Sequence, residues 1–175
     1  MDNIKIFDNF LPDYYFKQIQ SVLMGEDFPW FYKDYVAYKD PNITEKNQFQ
    51  FIHNFLDPKK GQSKQFDLIA PFNGLGKMYR IKANLRTRTL VPRRSYYHVD
   101  YPDMVTAIYY INTCNGYTKF KKSGKKIKSV ANRMIVFDSN LEHAGWSQTD
   151  EKRRIVVNFN FTEHSEFNEA GVLEI

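Results

Sequence analysis

Two residues in the stretch "RRSYYHVDYPDMVTAIYYIN", His98 and Asp100, are the first in this chain whose types and spacing suggest chemistry. On an extended strand, side chains two apart stand on the same side. An imidazole and a carboxylate would then be presented together, with Val99 turned away. That is half of a metal chelate, and a single His-x-Asp carries little information until a third ligand is found. The chain holds four histidines. His53 lies in an irregular N-terminal stretch and His164 near the C-terminal end. His143, in "DSNLEHAGW", falls between two strand-like segments and is the expected partner.

Two imidazoles and one carboxylate on one face leave about three positions of an octahedral ion open, which suits Fe(II) and differs from a closed structural zinc site. A dianionic 2-oxo acid bound to such an ion through its keto and adjacent carboxylate oxygens would project its far carboxylate into the protein. A buried carboxylate needs a paired cation, preferably a guanidinium that can offer two hydrogen bonds. Arg153 and Arg154, shortly after His143, are the candidates.

The elements that must position these groups read mostly as strands. "DNFLPDYYFKQIQSVLM" has apolar residues at helical spacing, with Pro12 and Asp13 suited to its start and Gly25 to its stop. From Asp27 to about Gln65 the periodicity is poor, and one or two strands with a long connection are expected. "FDLIAPFNGLGKMY" has a helical start broken by Pro71. After it, "YRIKANLRT", "YYHVD", "VTAIYYIN", "GYTKF", "KKIKSV", "NRMIVFDS" and "RRIVVNFNFT" are short segments rich in β-branched and aromatic residues. The expected fold is mainly β with N-terminal helices, an α+β chain whose core is a jelly roll.

With 175 residues, 42% of them apolar and 17% aromatic, the chain can bury a substantial core as one domain. Its parts would be a helical and irregular region 1–77, a core about 78–162 and a tail 163–175. The only cysteine, Cys114, excludes an intramolecular disulfide and suggests a reducing compartment. The first residues do not resemble a secretory signal, and no apolar run reaches the roughly 18 residues needed to cross a bilayer, so a cytoplasmic protein without membrane contact is expected. The net charge of +5 is a weak pointer to anionic partners. The basic stretches 80–94 and 119–128 read most simply as solvated loops or strand edges.

The segments "HVD", "TAIYYIN", "NGYTKF", "NRMIVFDSNLEHAG" and "RRIVVNFNF" together resemble the 2-oxoglutarate/Fe(II)-dependent oxygenases, and within them the prolyl 4-hydroxylase-like group of small bacterial and phage proteins. The resemblance covers roughly residues 78 to 162 and implies a double-stranded β-helix. It implies iron ligation by His98, Asp100 and His143, with 2-oxoglutarate as cosubstrate, dioxygen as oxidant and ascorbate as reductant. It points to Tyr109, the first tyrosine of "IYY", as a contact for the far carboxylate. Family strands place the cofactor-binding cation in phase with polar residues four and six positions on. That favours Arg154, followed by Asn158 and Asn160, over Arg153, and makes Asn158 a further cofactor contact. Many relatives carry a tyrosine about ten residues before the first ligand, where this chain has Arg88, so that wall of the pocket is expected to differ. Asn132 stands where the family has a glycine turn and can adopt the same left-handed conformation.

The implied reaction is hydroxylation of an unactivated C–H bond, of a protein or peptide residue such as proline or of a small molecule. Two alternatives remain at this stage. One is oxidation of a nucleobase or nucleotide, suggested by the basic stretches and aromatics. The other is a non-catalytic jelly-roll module holding a structural metal.

Overall fold

Short runs in which β-branched and aromatic residues alternate with polar ones favour pleated strands with two unlike faces. The computed structural model describes residues 3–36 and 49–162. In chain order these form β1 (Ile4–Phe7), helix α1 (Asp13–Leu23), β2 (Phe31–Lys33), β3 (Gln50–Asp57), β4 (Gly61–Gln62) and a 3-10 helix (Phe66–Leu75). There follow β5 (Lys77–Thr87), β6 (Val105–Tyr110), β7 (Tyr117–Phe120), β8 (Lys126–Lys128), β9 (Arg133–Asp138), β10 (His143–Trp146) and β11 (Arg153–Thr162).

The larger sheet runs β1-β9-β6-β11-β5-β3-β2, with β4 added to β3, and the smaller runs β10-β7-β8. Residues 93–98 extend the smaller sheet along β10. The Ser147 amide donates to the Arg93 carbonyl, Ser95 to Gly145, and His98 and His143 exchange both backbone bonds. From β5 to β11 the chain therefore passes back and forth between the sheets, with only β7 and β8 consecutive in the smaller one. Strands β5, β11, β6 and β9 face residues 93–98, β10, β7 and β8, which is the double-stranded β-helix expected from the sequence.

Two apolar cores hold it together. Between the larger sheet and the N-terminal elements, Leu11, Phe16, Ile19 and Leu23 pack with Ile69, Phe72 and Leu75 over Ile81, Ala107, Val157 and Phe159. Between the two sheets, Ile108, Tyr110, Ile135, Phe137 and Val156 meet Phe120 and Ile127. The inner core adjoins a cavity, which Ile108 and Val156 also line.

Several sequence expectations change. The N-terminal region is less irregular than its pattern suggested, because β1, β2 and β3 all join the larger sheet. Strand β1, with Ile4 opposite Phe137, has only four residues, too few for a period to show. Strand β10 contains a glycine and carries little strand propensity, and its pairing with β7 makes it one. "YYHVD" is held by bridges and is not a continuous strand. The basic stretch 80–94 is not a sheet edge, since β5 lies between β11 and β3, whereas the lysines of 119–128 do flank the edge strand β8. The tail 163–175, and His164 in it, lies outside the described residues. No helix among the described residues is long and apolar enough to cross a membrane.

Candidate active site

His98 comes from the bridged segment, His143 from the start of β10 and Asp100 from the turn before β6; one potential ligand atom from each lies within 4.8 Å of the others. His98 Nε2 is 3.8 Å from Asp100 Oδ1, and His143 Nε2 is 4.0 Å from Asp100 Oδ2. Both other ring nitrogens are engaged. Nδ1 of His98 lies 3.0 Å from the Tyr96 carbonyl and Nδ1 of His143 2.9 Å from that of Leu141. A carbonyl can only accept, so each Nδ1 carries the proton and each Nε2 keeps its lone pair. Nε2 of His143 is buried without a hydrogen-bond partner.

Burial pushes the His98 imidazolium down to about 4, and His143 adds to the shift; Asp100 and the Tyr96 carbonyl oppose it. For Asp100, burial acts upward, but the two histidines and hydrogen bonds from Thr106 and Asn160 outweigh it and hold the carboxyl below its usual range. Thr106 Oγ1 and Asn160 Nδ2 both donate to Oδ2, at 2.9 and 3.2 Å. With His143, these groups make a donor set of two imidazoles and one carboxylate, matched to a divalent ion. Among the described residues no further His, Cys, Asp or Glu joins this group.

The same cavity, of about 340 Å³, is lined by Arg154, Arg86, Thr118, Ile108, Val156 and Asn158. Arg154 is only 4% exposed. Its Nε donates to Ser129 Oγ at 2.6 Å and its Nη2 to Thr118 Oγ1 at 3.3 Å, and its guanidinium lies 5.5 Å from the Tyr110 ring centre. None of the ion pairs among the described residues includes it. Thr118 Oγ1 also accepts from the Tyr110 hydroxyl, which leaves its own hydrogen to donate. Gly116 makes the fit possible, since a Cβ there would stand 2.7 Å from Arg154 Cδ and 3.0 Å from the Trp146 carbonyl oxygen.

Strand register decides the remaining candidates. Arg154, Val156 and Asn158 share the inner face of β11, and Val156 and Asn158 sit opposite Tyr110 and Ile108. Tyr109 is therefore on the opposite face. It packs against Phe72, Phe10 and Phe16, and its hydroxyl donates to Asn132 Oδ1 at 2.7 Å. The expected contact of Tyr109 with the far carboxylate is corrected, and Tyr110 is the tyrosine beside Arg154. Arg153 likewise points to the helical side, where its Nη2 donates to the Met24 carbonyl. Asn158 does line the cavity, with its Oδ1 buried and unpartnered. Arg88 is exposed, and the β5 residue facing Arg154 is Arg86. Burial and the neighbouring Arg154 lower the Arg86 guanidinium to about 10.

Sequence reasoning missed Arg86, Lys82, Arg80 and Tyr110; the alternation Arg80, Lys82, Asn84, Arg86 was the available signal. Val99, expected to turn away, is half exposed at the cavity rim. His53 stands apart as a structural histidine between the Pro29 carbonyl and Ser63. Asn132 has φ of 61°, the left-handed conformation expected of it.

Comparison of the sequence with protein-family models and with curated proteins finds no match. Comparison of the fold does. A 2OG-Fe(II) oxygenase family oxidoreductase from Burkholderia pseudomallei matches with a TM-score of 0.69 at 9% identity, over 92% of this chain and 85% of that one. A prolyl hydroxylase from Trichoplax adhaerens, solved with a hypoxia inducible factor peptide, matches at 0.59 and 16% identity, over 92% and 84%. HygX from Streptomyces hygroscopicus, solved with nickel, 2-oxoglutarate and hygromycin B, matches at 0.57 and 12%, over 93% and 85%. At these identities the likeness is one of fold.

Proposed function

We propose that this protein is a 2-oxoglutarate- and Fe(II)-dependent dioxygenase that hydroxylates an unactivated C–H bond, in a protein or peptide residue such as proline. One observation carries the reading. A three-donor metal site and a buried guanidinium without a carboxylate partner among the described residues line the same cavity.

The residues fit the missing groups. His98, Asp100 and His143 would hold the iron, and the unpartnered Nε2 of His143 is a buried lone pair that an ion would satisfy. Three protein donors leave coordination positions open, which speaks against a closed structural site. When bound, iron and 2-oxoglutarate together supply the oxidation of a C–H bond by dioxygen, coupled to conversion of the oxo acid to succinate and carbon dioxide.

The chain's own groups prepare that chemistry. The Tyr96 and Leu141 carbonyls fix the imidazole tautomers, and Thr106 with Asn160 keeps Asp100 ionised and oriented. Arg154 takes the far carboxylate of the oxo acid, with Arg86 as a second positive charge and the Thr118 hydroxyl as a further donor. Ile108 and Val156 supply apolar lining to the same cavity. The likeness to a prolyl hydroxylase solved with a peptide supports the peptide reading.

Purified protein given Fe(II), ascorbate and 2-oxoglutarate is expected to release succinate, slowly alone and faster with substrate. His98→Ala or Asp100→Ala should lose iron. A wild-type protein that neither binds iron nor forms succinate would overturn the proposal.

A further inference from the structure

The cavity carries more positive charge than an iron and a 2-oxoglutarate require. Arg80, Lys82 and Arg86, on one face of β5, line it together with Arg154, and Asp100 is the only carboxylate among its described lining residues. A divalent cation and a dianionic oxo acid cancel, so among the described lining residues the basic side chains still outnumber the single carboxylate, Asp100. Their positions differ. Arg86 stands opposite Arg154, whereas Lys82 stands opposite Asn158 and Arg80 opposite Asn160, whose amide bonds Asp100. Four residues of strand, roughly 13 Å, separate Lys82 from Arg86 along β5. The deep pair can share the far carboxylate, but Lys82 and Arg80 flank the metal donors at the other end.

Neither forms a close ion pair among the described residues. The Lys82 ammonium makes no hydrogen bond or ion pair there, although the side chain is largely buried. Burial and then Arg80 lower it to about 7; Asp100 opposes the shift and Lys33 adds to it. The Arg80 guanidinium packs over the Tyr101 ring, 5.7 Å from its centre, an arrangement that leaves in-plane N–H groups available. Both cations are therefore open to an incoming anion.

We propose that Lys82 and Arg80 form a second anion subsite beside the metal centre, and that the substrate carries a carboxylate or phosphate close to the carbon that is oxidised. This rests on the proposed function and narrows its substrate class. Val99 and Tyr101 line the same cavity, and Val99 is half exposed. Applied to a peptide, the subsite favours a target residue with an acidic neighbour or a free C-terminal carboxylate.

The test uses protein loaded with Mn(II) and saturating 2-oxoglutarate, titrated calorimetrically at low salt with inorganic phosphate and, separately, with acetate. Wild type is expected to bind at least one probe, and the stronger of the two distinguishes a phosphate-bearing from a carboxylate-bearing substrate. Lys82→Met and Arg80→Gln should each weaken that binding about tenfold or more, with Mn(II) and 2-oxoglutarate affinities unchanged. Loaded wild type that binds neither probe overturns the inference, as does a Lys82→Met that loses 2-oxoglutarate affinity instead, which would assign Lys82 to the oxo acid. Failure of wild type to take up Mn(II) and 2-oxoglutarate at all would overturn the proposed function, and this inference with it.

Discussion

On one face of β11, Ile155, Val157, Phe159 and Phe161 are completely buried beneath the N-terminal elements, while on the other Arg154, Asn158 and Asn160 turn toward the cavity and the metal donors. The same contrast continues across β5, where Ile81, Ala83 and Leu85 back onto the apolar core and Lys82, Asn84 and Arg86 face inward. Only one of the two faces is apolar. Burying hydrocarbon stabilises the fold, whereas burying cations and amides without partners destabilises it. The inner face keeps its hydrogen-bonded cations and amides without matching anions among the described residues, at a cost in stability that an anionic ligand would offset. That division predicts which substitutions damage folding and which damage binding.

The largest expected effect on stability lies on the apolar face. Phe159→Ala, which removes a ring 4.7 Å from that of Phe72, should cost about 3–5 kcal/mol in urea unfolding and leave metal affinity per folded molecule intact. A fall in metal affinity of the folded fraction would break the separation of the two faces.

Acid should act on the other face. The folded value of His98, about 4, lies below its ordinary 6.5, so the unfolded chain takes up the proton first. Stability is complete above pH 6.5 and falls as the pH drops toward 4, by about 3 kcal/mol for this group. The difference in unfolding free energy between metal-free wild type and His98→Gln, measured at pH 7 and pH 4.5, isolates the contribution, because His53 is also lowered by burial.

Arg154→Met sharpens the comparison further. It should raise the 2-oxoglutarate requirement ten- to a hundredfold, about 1.5–3 kcal/mol, while ligand-free stability is maintained or increased because a buried unpaired cation is gone. Arg153→Ala, on the helical side, should leave the requirement unchanged. The smallest effect distinguishes the adjacent tyrosines. Tyr109→Phe should cost about 0.5–1.5 kcal/mol of stability through its lost bond to Asn132, with no change in 2-oxoglutarate binding. If Tyr109→Phe weakens the oxo acid and Tyr110→Phe does not, the assigned faces are reversed.

Much of the inner face was legible in advance. His98 and Asp100 are close in sequence, and the polar residues following Arg154 marked its phase against the apolar phase of Arg153. Tyr109 was misplaced because "IYY" is aromatic on both phases, so alternation could not say which tyrosine points inward. Only the pairing of β6 with β11, which sets Val156 opposite Tyr110, resolves it. Arg86 and Lys82 were hidden for a related reason. Alternating basic residues look the same on a solvated edge strand and on a central strand that lines a cavity.

The sequence by itself determined the strand-rich composition, the jelly-roll expectation and the residue types of the metal donors, because local propensity and two-residue periodicity are properties of the chain alone. Tertiary structure decided where β5 lies, which tyrosine meets Arg154, and that four basic side chains line one cavity. Those outcomes depend on register and strand order, which are set by packing between residues far apart in sequence.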